Sequence, residues 1–149
     1  MLHAAYKVGI TEIVCTPHCR DPYFDFEGMW DAFDQLRRRS PIPLRMGFEV
    51  NIRKLRELGM DWAPQLCFQD SSVLLLELSA HATKRDFEDY EREIYELQGM
   101  GIDVIIAHPE RYNAIQEDIS IAQRLVDCGC LLQASSDFIK GGRLGKERK

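Results

Sequence analysis

The sequence predicts an α/β fold with a parallel sheet. Two observations carry that prediction: short runs that are apolar throughout, and amphipathic stretches of helical period that separate them. A strand with no polar side has both faces buried, which is characteristic of a parallel sheet covered by helices. Internal repeats, low-complexity tracts and linkers are lacking, so the 149 residues read as one domain.

The elements follow in order. Residues 1–8 read as the end of a helix capped by Gly9, and residues 12–16 as a first strand ended by Pro17 and His18. Met29, Trp30, Phe33 and Leu36 give residues 26–39 a helical period, broken by Ser40-Pro-Ile-Pro. Residues 44–50 form the second strand, and residues 52–65 an irregular helix interrupted by Gly59 and Pro64. Residues 73–78 are the third strand. Residues 86–97 are a helix whose first turns are acidic, as the macrodipole favours. Residues 102–107 are the fourth strand, residues 119–128 a helix ended by Gly129, and residues 130–134 the fifth strand.

Composition narrows the function. Apolar residues at 45% and charged residues at 29% describe a globular chain. A formal net charge of −5, with both signs interspersed, argues against nonspecific binding to nucleic acid or an anionic membrane. It leaves room for an arginine-lined pocket for a small anion. The five cysteines form no framework, and Cys128-Gly-Cys130 is too tightly spaced for a zinc knuckle or a thioredoxin-type motif. Without a secretory signal, these thiols are expected to be reduced and the protein cytoplasmic. No apolar run approaches the ~20 residues that span a bilayer.

Parallel sheets and barrels bind ligands at the carboxyl ends of their strands. His18 follows the first predicted strand, Glu49 and Glu77 lie near the ends of the second and third, and His108 follows the fourth. Histidine and carboxylate are suitable ligands for manganese, iron or zinc, and such ions can clamp a phosphate and activate water. Plainer readings stand beside this one. A strand-end histidine often serves only as a hydrogen-bonded structural group. Glu77 can face outward or pair with a base, and Arg111 can pair with Glu110 or Asp118. Arg20 and His81 can reach the mouth of such a site from loops, or remain solvated; His3, on the first helix, is not a ligand. A cysteine-based phosphatase is excluded, because none of the five cysteines begins a Cys-x5-Arg loop.

Four motifs carry a family resemblance: Thr16-Pro17-His18 after Glu-Ile-Val-Cys, Gly47-Phe48-Glu49, Leu76-Glu77-Leu78, and Ala107-His108-Pro109-Glu110-Arg111-Tyr112 after Ile-Asp-Val-Ile-Ile. In order and separation they resemble the PHP superfamily, and within it the bacterial manganese-dependent protein-tyrosine phosphatases of capsule and exopolysaccharide operons. The last motif is the most specific, and the resemblance runs through essentially the whole chain. It implies a distorted (β/α)7, TIM-like barrel with a strand-end metal cluster. His18, Glu49 and His108 match family metal ligands, and Glu77 matches one less closely. Arg111 matches an arginine that clamps phosphate, so His108 and Arg111 carry the implied catalysis. The implied partner is a phosphotyrosine protein, such as a bacterial tyrosine kinase. Two alternatives stay open: a histidinol-phosphate or other small-molecule phosphatase on the same fold, and a non-catalytic phosphate-binding remnant.

The sequence departs from the family pattern at both ends. A strand carrying His-x-His is expected before Met1, and one carrying Asp-x-His after Lys149. Asp137 is no substitute, because no histidine follows two residues later, and residues 141–149 form a basic tail. The expectation is therefore an incomplete barrel, a fragment or else a degenerate homologue, with two unpaired sheet edges. Such a chain alone is expected to bind metal weakly, to self-associate into homo-oligomers and to show negligible turnover.

Overall fold

Apolar side chains alternate along the strands in a way that sorts the sheet into two faces. The computed structural model describes residues 1–136; Asp137 and the basic tail lie outside the described residues. The strands are β1 (Ile13–Cys15), β2 (His18–Cys19), β3 (Leu44–Met46), β4 (Glu49–Asn51), β5 (Val73–Glu77), β6 (Asp103–Ala107) and β7 (Leu131–Gln133). The helices are α1 (Leu2–Lys7), α2 (Phe26–Arg37), α3 (Ile52–Leu58), α4 (Ala63–Leu66), α5 (Lys84–Gly99), α6 (Asn113–Glu117) and α7 (Ser120–Asp127). Every strand pairing is parallel. β1 pairs with β3, and the larger sheet has the order β2-β4-β5-β6-β7.

The first two predicted strands are each divided in two. Pro17 has no N–H to offer a ladder, and it separates β1 from β2. Gly47 separates β3 from β4 because the chain passes close to Phe68, whose Cδ1 would lie 2.5 Å from a Cβ at this position. Pairing still carries across the break, since Gly47 N donates to Cys15 O at 2.9 Å and Glu49 N to Pro17 O at 3.1 Å. The consequence is positional: His18 and Glu49 open new strands instead of ending old ones.

The expected helix over residues 52–65 is also divided. Gly59, at φ 94°, ends α3 in a conformation open to glycine. A 3-10 turn over Met60–Trp62 follows, and Pro64 then sits in the first turn of α4, where its missing N–H is harmless. α5 starts two residues before the predicted helix, at Lys84. The Asp86 carboxylate accepts from both Thr83 N and Thr83 Oγ1 at 2.7 Å and so fixes that terminus.

One core cluster joins Cys19, Val50, Leu74, Leu76, Val104 and Ile106 of the strands to buried residues of α2, α3, α4, α5 and α7. Strand side chains alternate in direction, so Glu49, Asn51, Leu75 and Glu77 point to the opposite face. Helical cover over both faces was the simplest expectation. Among the described residues the helices build one core on one face, and the other face holds the polar groups. No helix among the described residues is long and apolar enough to cross a membrane.

One surface ion pair ties the start of α5 to the α6–α7 junction. Lys84 Nζ lies 2.8 Å from Asp118 Oδ2, while Ser120 caps Oδ1. The lysine hydrogen bond, helped by Ser120, holds the Asp118 carboxyl down to about 2. A carboxylate depressed in the folded state stabilises above its unfolded pKa and loses that contribution as pH falls through the folded value. Asp118→Asn should therefore be less stable than wild type at pH 6, and the gap should close between about pH 4 and 2. Urea midpoints at the two ends of that range check this.

Candidate active site

Register brings the polar residues together. Across β2 and β4, His18 is the direct partner of Glu49; across β4 and β5, Asn51 is the direct partner of Glu77. Paired residues on parallel strands share a face. His108 enters just beyond β6 in a left-handed conformation, φ 35° and ψ 57°. That conformation is strained for a non-glycine residue, and the more so before a proline. His108 N donates to Gln133 O at 2.7 Å, and its carbonyl accepts from Arg111 N at 2.9 Å, which hold the turn in place.

The result is a compact set of donors. His108 Nε2 lies 3.0 Å from Glu49 Oε1 and 3.6 Å from Glu77 Oε1, and His18 Nδ1 lies 3.6 Å from Glu49 Oε1. Glu49, Glu77 and His108 each present a ligand atom, all within 4.8 Å of one another. Their side chains are only 16%, 14% and 13% exposed, whereas His18 is 48% exposed. Burial alone would raise the Glu49 carboxyl. The hydrogen bond from His108, with the charges of His18, His108 and Arg111, outweighs it and holds the group below its ordinary range.

Beneath the donors, the Tyr112 hydroxyl fastens two strand ends. It accepts from Leu78 N at 2.9 Å and donates to Ala107 O at 2.7 Å, and the ring is fully buried. Burial pushes this phenol upward, so it stays protonated and keeps donating. Tyr112→Phe should cost about 1–3 kcal/mol, because it leaves a buried N–H and a buried carbonyl without their partner. Urea unfolding of the two proteins measures it.

A cleft of about 530 Å³ opens beside Glu77 and His108, walled also by Arg20, Asn51, Arg53, Lys54 and Arg111, among others. The Arg20 guanidinium lies 3.8 Å from Glu77 Oε1. Lys54 is neutralised by Asp21 at 2.6 Å and Glu57 at 3.2 Å. Arg111 lines the cleft and donates to Ser135 Oγ at 3.4 Å. His81 is not a wall residue; it stands beside Asn113 Nδ2 at 3.5 Å. Sequence reasoning missed Asn51, Arg53 and Lys54. A helix-start signal at Asn51, just before Ile52 and Leu55, was the one available hint.

Three of the five thiols, Cys19, Cys67 and Cys130, are buried. Burial pushes Cys19 up to about 12, and Cys67 and Cys130 up to about 11. The groups that converge on the cleft among the described residues are histidine, carboxylate and arginine. Residues 1–149 match the family described as capsular polysaccharide synthesis, CpsB/CapC. The chain belongs to that family. It is 33% identical over 156 residues to the tyrosine-protein phosphatase YwqE of Bacillus subtilis (strain 168), covering 100% of this chain and 60% of YwqE. It is 30% identical over 145 residues to the tyrosine-protein phosphatase CpsB of Streptococcus pneumoniae, covering 91% of this chain and 58% of CpsB. A chain from the crystal structures of these two proteins, described as unique metal-dependent tyrosine phosphatases, matches with a TM-score of 0.81 and 30% identity. That match covers 98% of this chain and 62% of the solved one. The chain thus spans about 60% of the length of the curated relatives it matches.

Proposed function

We propose that this chain carries the metal-holding and phosphate-binding elements of a metal-dependent protein-tyrosine phosphatase that acts in capsular polysaccharide regulation. One observation carries the reading: Glu49, Glu77 and His108 converge with ligand atoms within 4.8 Å of one another. Membership of the CpsB/CapC family and the tyrosine phosphatases among its relatives support it. The one-sided helical cover supports reading the sheet as an arc of a PHP-type barrel, formed by a single domain, with the polar face turned inward. The substrate is a phosphotyrosine protein, a bacterial tyrosine kinase among the candidates, and the setting is the cytoplasm.

The donor set suits a divalent ion. One imidazole and two carboxylates, without thiolate, fit manganese, iron or zinc, and manganese is the choice the family resemblance gives. His108 Nδ1 is buried and has no hydrogen-bond partner among the described residues, where the ring is held by its Nε2 side. Glu49, Glu77 and His108 would hold the ion, with His18 at the exposed margin. When bound, it supplies Lewis-acid polarisation of the phosphoryl group and an activated water. The remaining work belongs to the chain. Glu49 stays ionised, and before an ion arrives its Oε1 holds His108 Nε2 at the site. Arg111 offers a planar fork that matches two phosphate oxygens and offsets the charge gathering on them during transfer. Arg20 and Arg53 add positive charge on the cleft wall to receive the dianion. Hydrolysis would join the water oxygen to phosphorus, break the phosphorus–oxygen bond to the tyrosine, and pass the water's proton to the departing phenolate.

The test is hydrolysis of a phosphotyrosine peptide by metal-free protein, with and without added manganese. Any turnover by this chain should depend on the added ion and vanish in excess chelator. Turnover undiminished in chelator would end the reading.

A further inference from the structure

Asn51 stands between the metal-ligand set and the start of α3. Its Nδ2 donates to Glu77 Oε2 at 3.1 Å, and its Oδ1 accepts from the Arg53 backbone N–H at 3.1 Å. The two partners fix which end of the carboxamide is which: only the amide nitrogen can donate to a carboxylate, and only the oxygen can accept from an N–H. The contact is built into the sheet, because Asn51 and Glu77 are direct register partners on β4 and β5. With Oε2 engaged, Glu77 keeps Oε1 turned toward His108 Nε2 at 3.6 Å and Arg20 at 3.8 Å. Swinging both oxygens toward the cleft would break the Asn51 bond.

We propose that Asn51 is a positioning residue that locks Glu77 so that it serves the metal site through a single oxygen, Oε1. The inference rests on the reading of Glu49, Glu77 and His108 as metal ligands and extends it to a residue outside that set. Hydrogen-bond partners of metal ligands set ligand orientation, and losing one typically lowers metal affinity about 10–100-fold.

Two substitutions separate this role from helix capping. Serine keeps an acceptor for the Arg53 N–H but is too short to reach Glu77, whereas alanine loses both contacts. Manganese alone is the probe, titrated into metal-free protein by calorimetry. Asn51→Ser and Asn51→Ala should both bind about 10–100-fold more weakly than wild type. Only the alanine variant should also melt lower without metal. Wild-type affinity in a folded Asn51→Ser protein would overturn the proposal. A second measurement needs no metal: the Asn51 side-chain NH2 protons should exchange slowly with water in wild type and rapidly in Glu77→Ala. Equal exchange in the two would show that Asn51 does not hold Glu77. Should wild type take up no manganese, the metal reading itself falls, and the exchange measurement still decides whether the Asn51–Glu77 lock exists.

Discussion

His108→Ala should lower the affinity of this chain for manganese by more than 100-fold and leave no metal-dependent turnover. Disturbing a partner of a ligand costs about 10–100-fold, so removing a ligand should cost more. Both carboxylates face the same atom, His108 Nε2, at 3.0 and 3.6 Å. Among the described residues no neighbour is placed to replace it: His18 is half exposed at the margin, and Cys19, the next residue, points into the hydrophobic core. The variant needs a fold control, because position 108 is left-handed and alanine loses the edge contact with the Tyr112 ring, 5.8 Å between centroids. His108→Asn supplies that control, since asparagine enters this conformation more readily than alanine does. It should melt closer to wild type than the alanine variant and still bind manganese poorly. Cys15→Ser should keep whatever turnover wild type has, as Cys15 packs half-buried beside α2, away from the cleft. A folded but inactive Cys15→Ser protein would refute the metal mechanism.

The sheet was legible because its central strands are written plainly. Val73–Glu77 and Asp103–Ala107 are apolar enough to admit no other buried element of that length, and the helix between them announces itself through Asp86. The breaks at Pro17 and Gly47 were harder to place. Gly47 owes its position to the Phe68 ring, which comes from 21 residues further along the chain. α6 was missed because five residues are too few to display a period. At the candidate site, the residues that attract attention by type, His18, Glu49, Glu77 and His108, meet because β2, β4 and β5 lie in register and His108 follows β6. Asn51 carried no such mark. Its cap on α3 is a local signal, but its bond to Glu77 spans 26 residues and exists only through the β4–β5 register. His81 stands beside Asn113, next to Ala80 of the cleft wall and not among the wall residues themselves.

Glu49→Gln should weaken manganese binding about a thousandfold while leaving the fold intact. Glu49 Oε1 is the hub of the set, 3.0 Å from His108 Nε2 and 3.6 Å from His18 Nδ1. Glutamine keeps the shape and a hydrogen-bonding carbonyl, so the β4 register and the packing of Val50 have no reason to change. What disappears is one negative charge at a site 16% exposed. At about 4 Å and an effective dielectric of about 20, a unit charge pair is worth about 4 kcal/mol, and each 1.4 kcal/mol is tenfold in affinity. The metal-free protein should respond far less. The change removes an attraction between Glu49 and the Arg111 guanidinium, and it also relieves repulsion between Glu49 and Glu77, so the two effects oppose. Calorimetric titration with manganese, set beside thermal melts of both proteins in chelator, tests the two halves separately. A Glu49→Gln protein that binds manganese as tightly as wild type would remove Glu49 from the ligand set. A variant that fails to fold in chelator would show that the carboxylate supports the β2–β4 edge before any ion arrives.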